Sequence, residues 1–162
     1  MSEGKRPGGL TALAVINFVY GGFSVLGIFG LIFLLNAPSI LGGLRDKLVE
    51  DGAEQAQIEK MDSDIAKMEQ SVEDVGGHTG IYIGIGASIL FAVILITSGV
   101  GYLKQRRGMG RKVGNIYGVL GVIYNLGFAL MTTFQFGVLI GLLYPVLTLV
   151  LINTTFKDDL VR

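Results

Sequence analysis

The sequence predicts an all-α integral membrane protein, built as an antiparallel four-helix transmembrane bundle. None of the 13 Lys and Arg or the 13 Asp and Glu falls inside four long apolar stretches. Each stretch is about as long as the roughly 20 residues that a helix needs to cross a bilayer. The composition agrees, because 51% of the residues are hydrophobic and 25 are glycine, which is typical of membrane proteins. The predicted spans are about 11–35, 79–103, 113–133 and 136–156.

The first stretch follows Lys5 and Arg6, as in a signal peptide. Its apolar run is longer than the roughly 7 to 15 residues of a signal-peptide core, so we expect it to remain as a span. With 162 residues, the chain fits a single membrane domain, 1–162.

Charge asymmetry predicts the orientation. The N-terminus, the second connection and the C-terminus together carry nine basic residues against three acidic ones, whereas the first connection, 36–78, carries four against ten. Short basic connections stay on the cytoplasmic side. We therefore expect both termini and the 104–112 turn to be cytoplasmic and 36–78 to lie outside.

The acidic first connection is predicted to be a helical extramembrane loop. Helix breakers flank it: Asn36, Pro38, Gly42 and Gly43 should end the first span, and Gly76, Gly77 and Gly80 precede the second. Between them, Gly52 is expected to separate a short amphipathic turn from a helix of about 53–75. Apolar residues recur along that helix at spacings of three and four, which we name the outer seam: Ile58, Met61, Ile65, Met68, Val72 and Val75. The outer seam either packs on the protein's own surface or meets a neighbouring subunit or partner.

Glycine pairs predict how the spans pack. Small residues four apart let helix backbones approach closely in lipid, and the chain has three such pairs: Gly80 and Gly84, Gly114 and Gly118, Gly137 and Gly141. A surplus glycine face could instead make homo-oligomer contacts. The uncharged polar residues Asn17, Asn115 and Asn125 either hydrogen-bond between helices or contribute to a pore lining.

The chemistry that the chain lacks argues against an enzyme. There is no cysteine, no acidic residue lies in a span, and His78 is the single histidine, at a span edge. No nucleophile and base are paired, and we expect no metal, cofactor or nucleic acid. A basic cluster in the second connection is expected to set topology and contact anionic lipid: Lys104, Arg106, Arg107, Arg111 and Lys112.

The segment from Arg6 to Ile16, which reads RPGGLTALAVI, followed by Gly21 and Gly22, resembles the start of many small, uncharacterised bacterial four-span inner-membrane proteins. In those proteins Arg-Pro leads into Gly-Leu or Gly-Val, Thr and an apolar helix. The resemblance covers little more than the first span. It implies a bacterial inner-membrane location and no particular activity.

These observations favour a non-catalytic membrane interaction protein. It would be a structural or accessory subunit of a larger membrane assembly, or a scaffold that oligomerises with itself. The alternative is an oligomeric passive pore or small-solute carrier, lined by uncharged polar residues: Asn17, Ser24, Asn115, Asn125, Thr132 and Thr148.

Overall fold

The computed structural model describes residues 8–131 and 136–160, and within these ranges it contains helices and turns but no strand. The α-helices are α1 (Gly8–Glu50), α2 (Gln55–Asp74), α3 (Gly77–Leu103), α4 (Val113–Met131) and α5 (Phe136–Asn153), with a π-helix (Arg107–Lys112) directly before α4. The prediction of an all-helical fold is thereby confirmed. The short connection between the predicted spans 113–133 and 136–156 lies outside the described residues, which omit 132–135.

The chain forms two compact units. The first, which we call the helical core unit, contains the described residues up to Phe23 and from Leu90 onward. The second, the arm unit, is Ser24–Ile89, so it contains the second part of α1, all of α2 and the start of α3.

Helix α1 is much longer than its breakers suggest. The prediction that Asn36, Pro38, Gly42 and Gly43 end the first helix was wrong, because α1 continues through all four for a total of 43 residues. Asn36 lies inside the helix, where its exposed side chain donates a hydrogen bond of 2.7 Å to the Ile32 carbonyl one turn earlier. Ala37 is buried, and packing of this kind offsets the loss of one backbone hydrogen bond at Pro38.

Glycines in a left-handed conformation make the two turns that flank α2. Gly52 has φ +69°, and the amides of Gly52 and Ala53 donate to the carbonyls of Val49 and Leu48 at 3.2 and 2.9 Å. This pair of bonds is a Schellman motif, which terminates α1 at Glu50 with Gly52 as the left-handed residue two positions beyond it. At the other end of α2, Gly76 and Gly77 have φ +90° and +66°. The predicted helix of about 53–75 is confirmed as α2.

The core of the helical core unit combines residues from α1, α3, α4, α5 and the segment after α5. Its buried members are Leu10, Leu13, Ala14, Ile94, Leu95, Tyr102, Tyr117, Tyr144, Ile152, Phe156 and Leu160. The last two come from the turns that follow α5. A Cβ at Gly9 would collide with the Phe156 ring, and one at Gly110 would lie 3.1 Å from Leu160. The segment after α5 therefore packs on both the start of α1 and the π-helix.

Large apolar side chains remain exposed on every long apolar helix. By length and composition, α1 and α3 could each cross a membrane, and in their most apolar 18-residue windows only 6% and 28% of the residues are buried. Phe23, Phe29 and Ile83 are each more than 60% exposed. A core helix of a soluble protein would bury most of such a window, so these helices have the surfaces of lipid-facing or partner-covered segments.

Helices α4 and α5 pack closely because α4 presents glycines to α5. A Cβ at Gly118 would collide with Leu149, and one at Gly121 would lie 2.7 Å from Cγ of Pro145. Gly22 on α1, by contrast, has no atom within 4 Å of its Cβ position.

We predict that Gly118→Ala lowers the free energy of unfolding in detergent by about 1–3 kcal/mol, because Leu149 must leave its place to admit the new methyl group. The matched control is Gly22→Ala, which also adds one methyl group to a helix but meets open space. It should be neutral or stabilising by up to about 1 kcal/mol. Equal effects of the two substitutions on reversible unfolding would contradict the close α4–α5 contact.

Candidate functional site

The outer seam lies along the inner side of α2. Ile58, Met61, Ile65 and Met68 are half-buried, and Val72 is buried. Val75, the last seam residue, follows the end of α2 and is exposed. The seam is therefore covered along most of its length.

The second part of α1 carries a matching row. Half-buried residues recur there at spacings of three and four: Leu31, Leu34, Pro38, Leu41, Arg45 and Leu48. Two helices joined by a connection of four residues lie antiparallel and side by side, and α1 and α2 are joined by 51–54. The two rows therefore face each other, which supports packing of the seam on the protein's own surface.

Arg45 is the polar member of its row, and it joins the two helices. Its Nε donates a hydrogen bond of 2.9 Å to Oδ1 of Asp62, and Nη1 lies 3.5 Å from Asp46. Hydrogen bonding to Asp62, together with the charge of Asp62 and contact with Asp46, raises the pKa of Arg45. A single charged residue in an otherwise apolar row specifies the register of paired helices.

The outward surface of the arm unit is acidic. Within the arm unit, all of which the structure describes, seven exposed carboxylates have no cation within 4.0 Å: Glu50, Asp51, Glu54, Glu59, Glu69, Glu73 and Asp74. Lys67 is used locally, since it pairs with Asp64 at 3.2 Å. The arm therefore presents negative charge to its surroundings, with few cations of its own to offset it.

Asn17 joins three helices inside the helical core unit. Its Nδ2 donates to Oγ of Ser98 on α3 at 2.7 Å, and its Oδ1 accepts from the hydroxyl of Tyr144 on α5. Ser98 in turn donates to the Leu95 carbonyl at 3.1 Å. Asn17 and Ser98 are fully buried and Tyr144 nearly so, so these bonds form away from solvent, where polar groups that lack partners are costly.

A second polar contact joins α4 and α5 near the basic turn. The side-chain amides of Asn115 and Asn153 pair reciprocally, with Nδ2 to Oδ1 distances of 3.3 and 2.5 Å. The Arg111 guanidinium donates to the same Asn153 oxygen at 3.4 Å through both Nε and Nη2. Arg111 thus differs from the rest of the basic cluster, because Lys104, Arg106, Arg107 and Lys112 are exposed.

Asn125 hydrogen-bonds within its own helix, α4. Its Nδ2 donates to the Gly121 carbonyl at 2.8 Å, and its side chain lies against Gly141 of α5, where a Cβ would collide with it. Of the residues considered as a pore lining, Asn17, Asn115 and Asn125 are therefore engaged within the chain, and Thr132 lies outside the described residues.

The predicted glycine pairs lie at several different contacts. A Cβ added at Gly80 would collide with the Val75 carbonyl. One added at Gly114 would collide with the Tyr102 hydroxyl, and one at Gly118 would collide with Leu149. At Gly84 it would lie 3.1 Å from Leu31. The surroundings of Gly137 fall outside what the structure describes.

Two features of these contacts are not evident from sequence. Arg45 belongs to a heptad row that becomes visible only when α1 is continued past Pro38, and Tyr102 is a buried polar residue at the end of an apolar stretch. The position of Tyr102 four residues after Ser98 places both on one helix face, which is the signal that could have found it.

Comparison with known proteins gives no relative: no family model, no curated protein and no solved structure matches the chain. The contacts above are therefore the basis for assigning a function.

We predict that Asn17→Leu lowers the free energy of unfolding by about 1–3 kcal/mol, because it leaves buried hydroxyls on α3 and α5 without their partner. The control is Asn36→Leu, on the same helix, where the exposed amide bonds only its own backbone and the expected change is within about 0.5 kcal/mol. Thermal or denaturant unfolding of both variants in one detergent measures the difference. If the two lose equal stability, Asn17 does not hold the three helices together.

Proposed function

We propose that the chain is a four-span protein of the bacterial inner membrane, with spans at about 11–35, 79–103, 113–133 and 136–156. The exposed apolar faces of α1 and α3 support this, as do the lengths of α4 and α5. With 19 and 18 residues, these two helices are about 28 Å long at 1.5 Å per residue, close to the roughly 30 Å of a hydrocarbon core.

The length of α1 supports placing the first connection, 36–78, outside the membrane. Its 43 residues extend about 65 Å, roughly twice the thickness of the hydrocarbon core. Half of α1 is therefore enough for one crossing. In this proposal the remainder pairs with α2 outside, both termini and the 104–112 turn are cytoplasmic, and the distribution of Lys and Arg sets that orientation.

We infer that the protein is a non-catalytic accessory subunit of a larger membrane assembly. The observation that carries this is the division of polar groups. Polar side chains of the helical core unit such as Asn17 and Asn153 bond within the chain, whereas the exposed carboxylates of the arm unit include seven without a cation. A surface with unpaired carboxylates and few cations fits a partner with a basic surface.

The same charge argues against a scaffold that associates through its arms. Two copies brought together at this surface would place like charges side by side, which opposes association. Self-association would have to use the apolar faces of the spans instead. A foreign subunit with basic residues near the outer membrane surface is therefore the partner we favour.

On the cytoplasmic side we propose contact with anionic lipid. Lys104, Arg106, Arg107 and Lys112 are exposed next to the ends of two apolar helices and have no carboxylate of the described chain within 4.0 Å. Clusters of this kind attract anionic headgroups at about 1 kcal/mol per charge. Arg111, which is held by Asn153, would mark the inner edge of this surface.

A passive pore or carrier is less well supported. Three of its candidate lining residues, Asn17, Asn115 and Asn125, bond to groups of the same chain, so their side-chain amides are already engaged.

We predict that the tagged native protein, purified in mild detergent, brings a foreign subunit in fixed ratio, measured by mass spectrometry and by particle mass from light scattering. Neutralising three exposed carboxylates of α2, in Glu59→Gln with Glu69→Gln and Glu73→Gln, should reduce the recovered partner by tenfold or more, on the order of 1.4 kcal/mol.

The control replaces three exposed neutral residues of the same helix, in Gln57→Ala with Ser63→Ala and Gln70→Ala, and should leave the recovered partner unchanged. A pure homo-oligomer in every preparation would refute the accessory role. If the triple Gln variant recovers as much foreign subunit as the wild-type protein, the contact does not lie on the acidic surface of α2.

A further inference from the structure

The helical core unit contains two buried hydroxyl groups without a protein partner. Within the described residues, the Tyr102 hydroxyl and Oγ1 of Thr148 are inaccessible to solvent and make no hydrogen bond. Both residues are fully buried. Unpaired buried hydroxyls are uncommon in folded proteins, and a bound water molecule is one explanation for them.

Both hydroxyls flank the contact that Asn17 makes with Tyr144. Tyr102 lies beside Asn17 and Ser98, and Thr148 lies beside Tyr144. The same relation follows from helix geometry, since Ser98 and Tyr102, and likewise Tyr144 and Thr148, are four residues apart on one helix face. The five side chains therefore form one buried polar cluster that draws on α1, α3 and α5.

The hydrogen-bonding capacity of this cluster is only partly used. Asn17 donates to Ser98 and accepts from Tyr144, and Ser98 donates to the Leu95 carbonyl. The hydroxyls of Tyr102 and Thr148 each keep a donor and acceptor lone pairs. The Tyr102 hydroxyl also lies directly against Gly114 of α4, which has no side chain to offer it.

We propose that this cluster is a binding site for a single internal water molecule, held by the hydroxyls of Tyr102 and Thr148. A buried water needs two to four polar partners, and the cluster supplies two free hydroxyls beside the Asn17–Tyr144 contact. Water can accept a hydrogen bond from each hydroxyl and donate its own protons to lone pairs of the cluster. The site would thereby connect α3 to α5 without a direct side-chain bond.

A double-mutant cycle tests the site through its energetics. Tyr102→Phe and Thr148→Val each remove one hydroxyl with little change in shape. If a water bridges the two, each substitution raises the unfolding equilibrium constant about fivefold to tenfold, and the double variant raises it by much less than the product. Tyr82→Phe and Thr79→Val, at exposed positions on α3, should change it less than twofold.

The opposite result overturns the proposal. If the hydroxyls are dry, each substitution leaves the unfolding constant unchanged or lowers it, and the two effects multiply, because removing an unsatisfied polar group relieves its cost.

A second measurement detects the water itself. In perdeuterated protein with protonated methyl groups, a water-selective nuclear Overhauser effect should reach the Thr148 methyl in the wild-type protein and weaken in Tyr102→Phe. No signal at Thr148, in a sample where the exposed Thr79 methyl shows one, would contradict the site even if the stability changes agreed.

Discussion

The contact on which the helical core unit depends is the one that Asn17 makes with Ser98 and Tyr144. It is a polar contact among helices whose other surfaces are almost uniformly apolar, and apolar surfaces pack with little preference for one rotation or register. A buried amide that needs two partners removes that freedom, because shifting α1 against α3 or α5 leaves a polar group unpaired. The glycines then determine how closely the helices approach at the position that Asn17 selects.

In the arm unit, a charged residue specifies the register of the paired helices. Gly52 ends α1 and turns the chain, and Arg45 meets Asp62 across the two helices at 2.9 Å. Being half-exposed, this pair contributes little to stability, but it specifies which residues of the two apolar rows meet. The outer carboxylates do not take part, so the register of the arm is independent of the charge that it presents to a partner.

The sequence predicted these features unevenly, for physical reasons. Charge-free stretches predicted the apolar helices, and the spacing of Ile58 to Val72 predicted α2, because each pattern lies within a single element. The prediction that Asn36, Pro38, Gly42 and Gly43 end the helix was wrong, because tertiary packing, such as the burial of Ala37, offsets the local cost of a helix breaker. For Asn115 a bond between helices was one of two predicted roles, but its partner Asn153 was not foreseen, nor was the burial of Tyr102, since both depend on neighbouring helices and leave no local pattern.

The central proposal is four crossings with the acidic first connection, 36–78, outside. Because the chain has no cysteine, single cysteines at the exposed positions Ser63, Gly108 and Asp158 can be labelled in intact cells with a membrane-impermeant maleimide. We predict labelling at Ser63 alone before lysis and at all three afterwards. Labelling at Gly108 or Asp158 in intact cells, or protection of Ser63, would contradict the proposal.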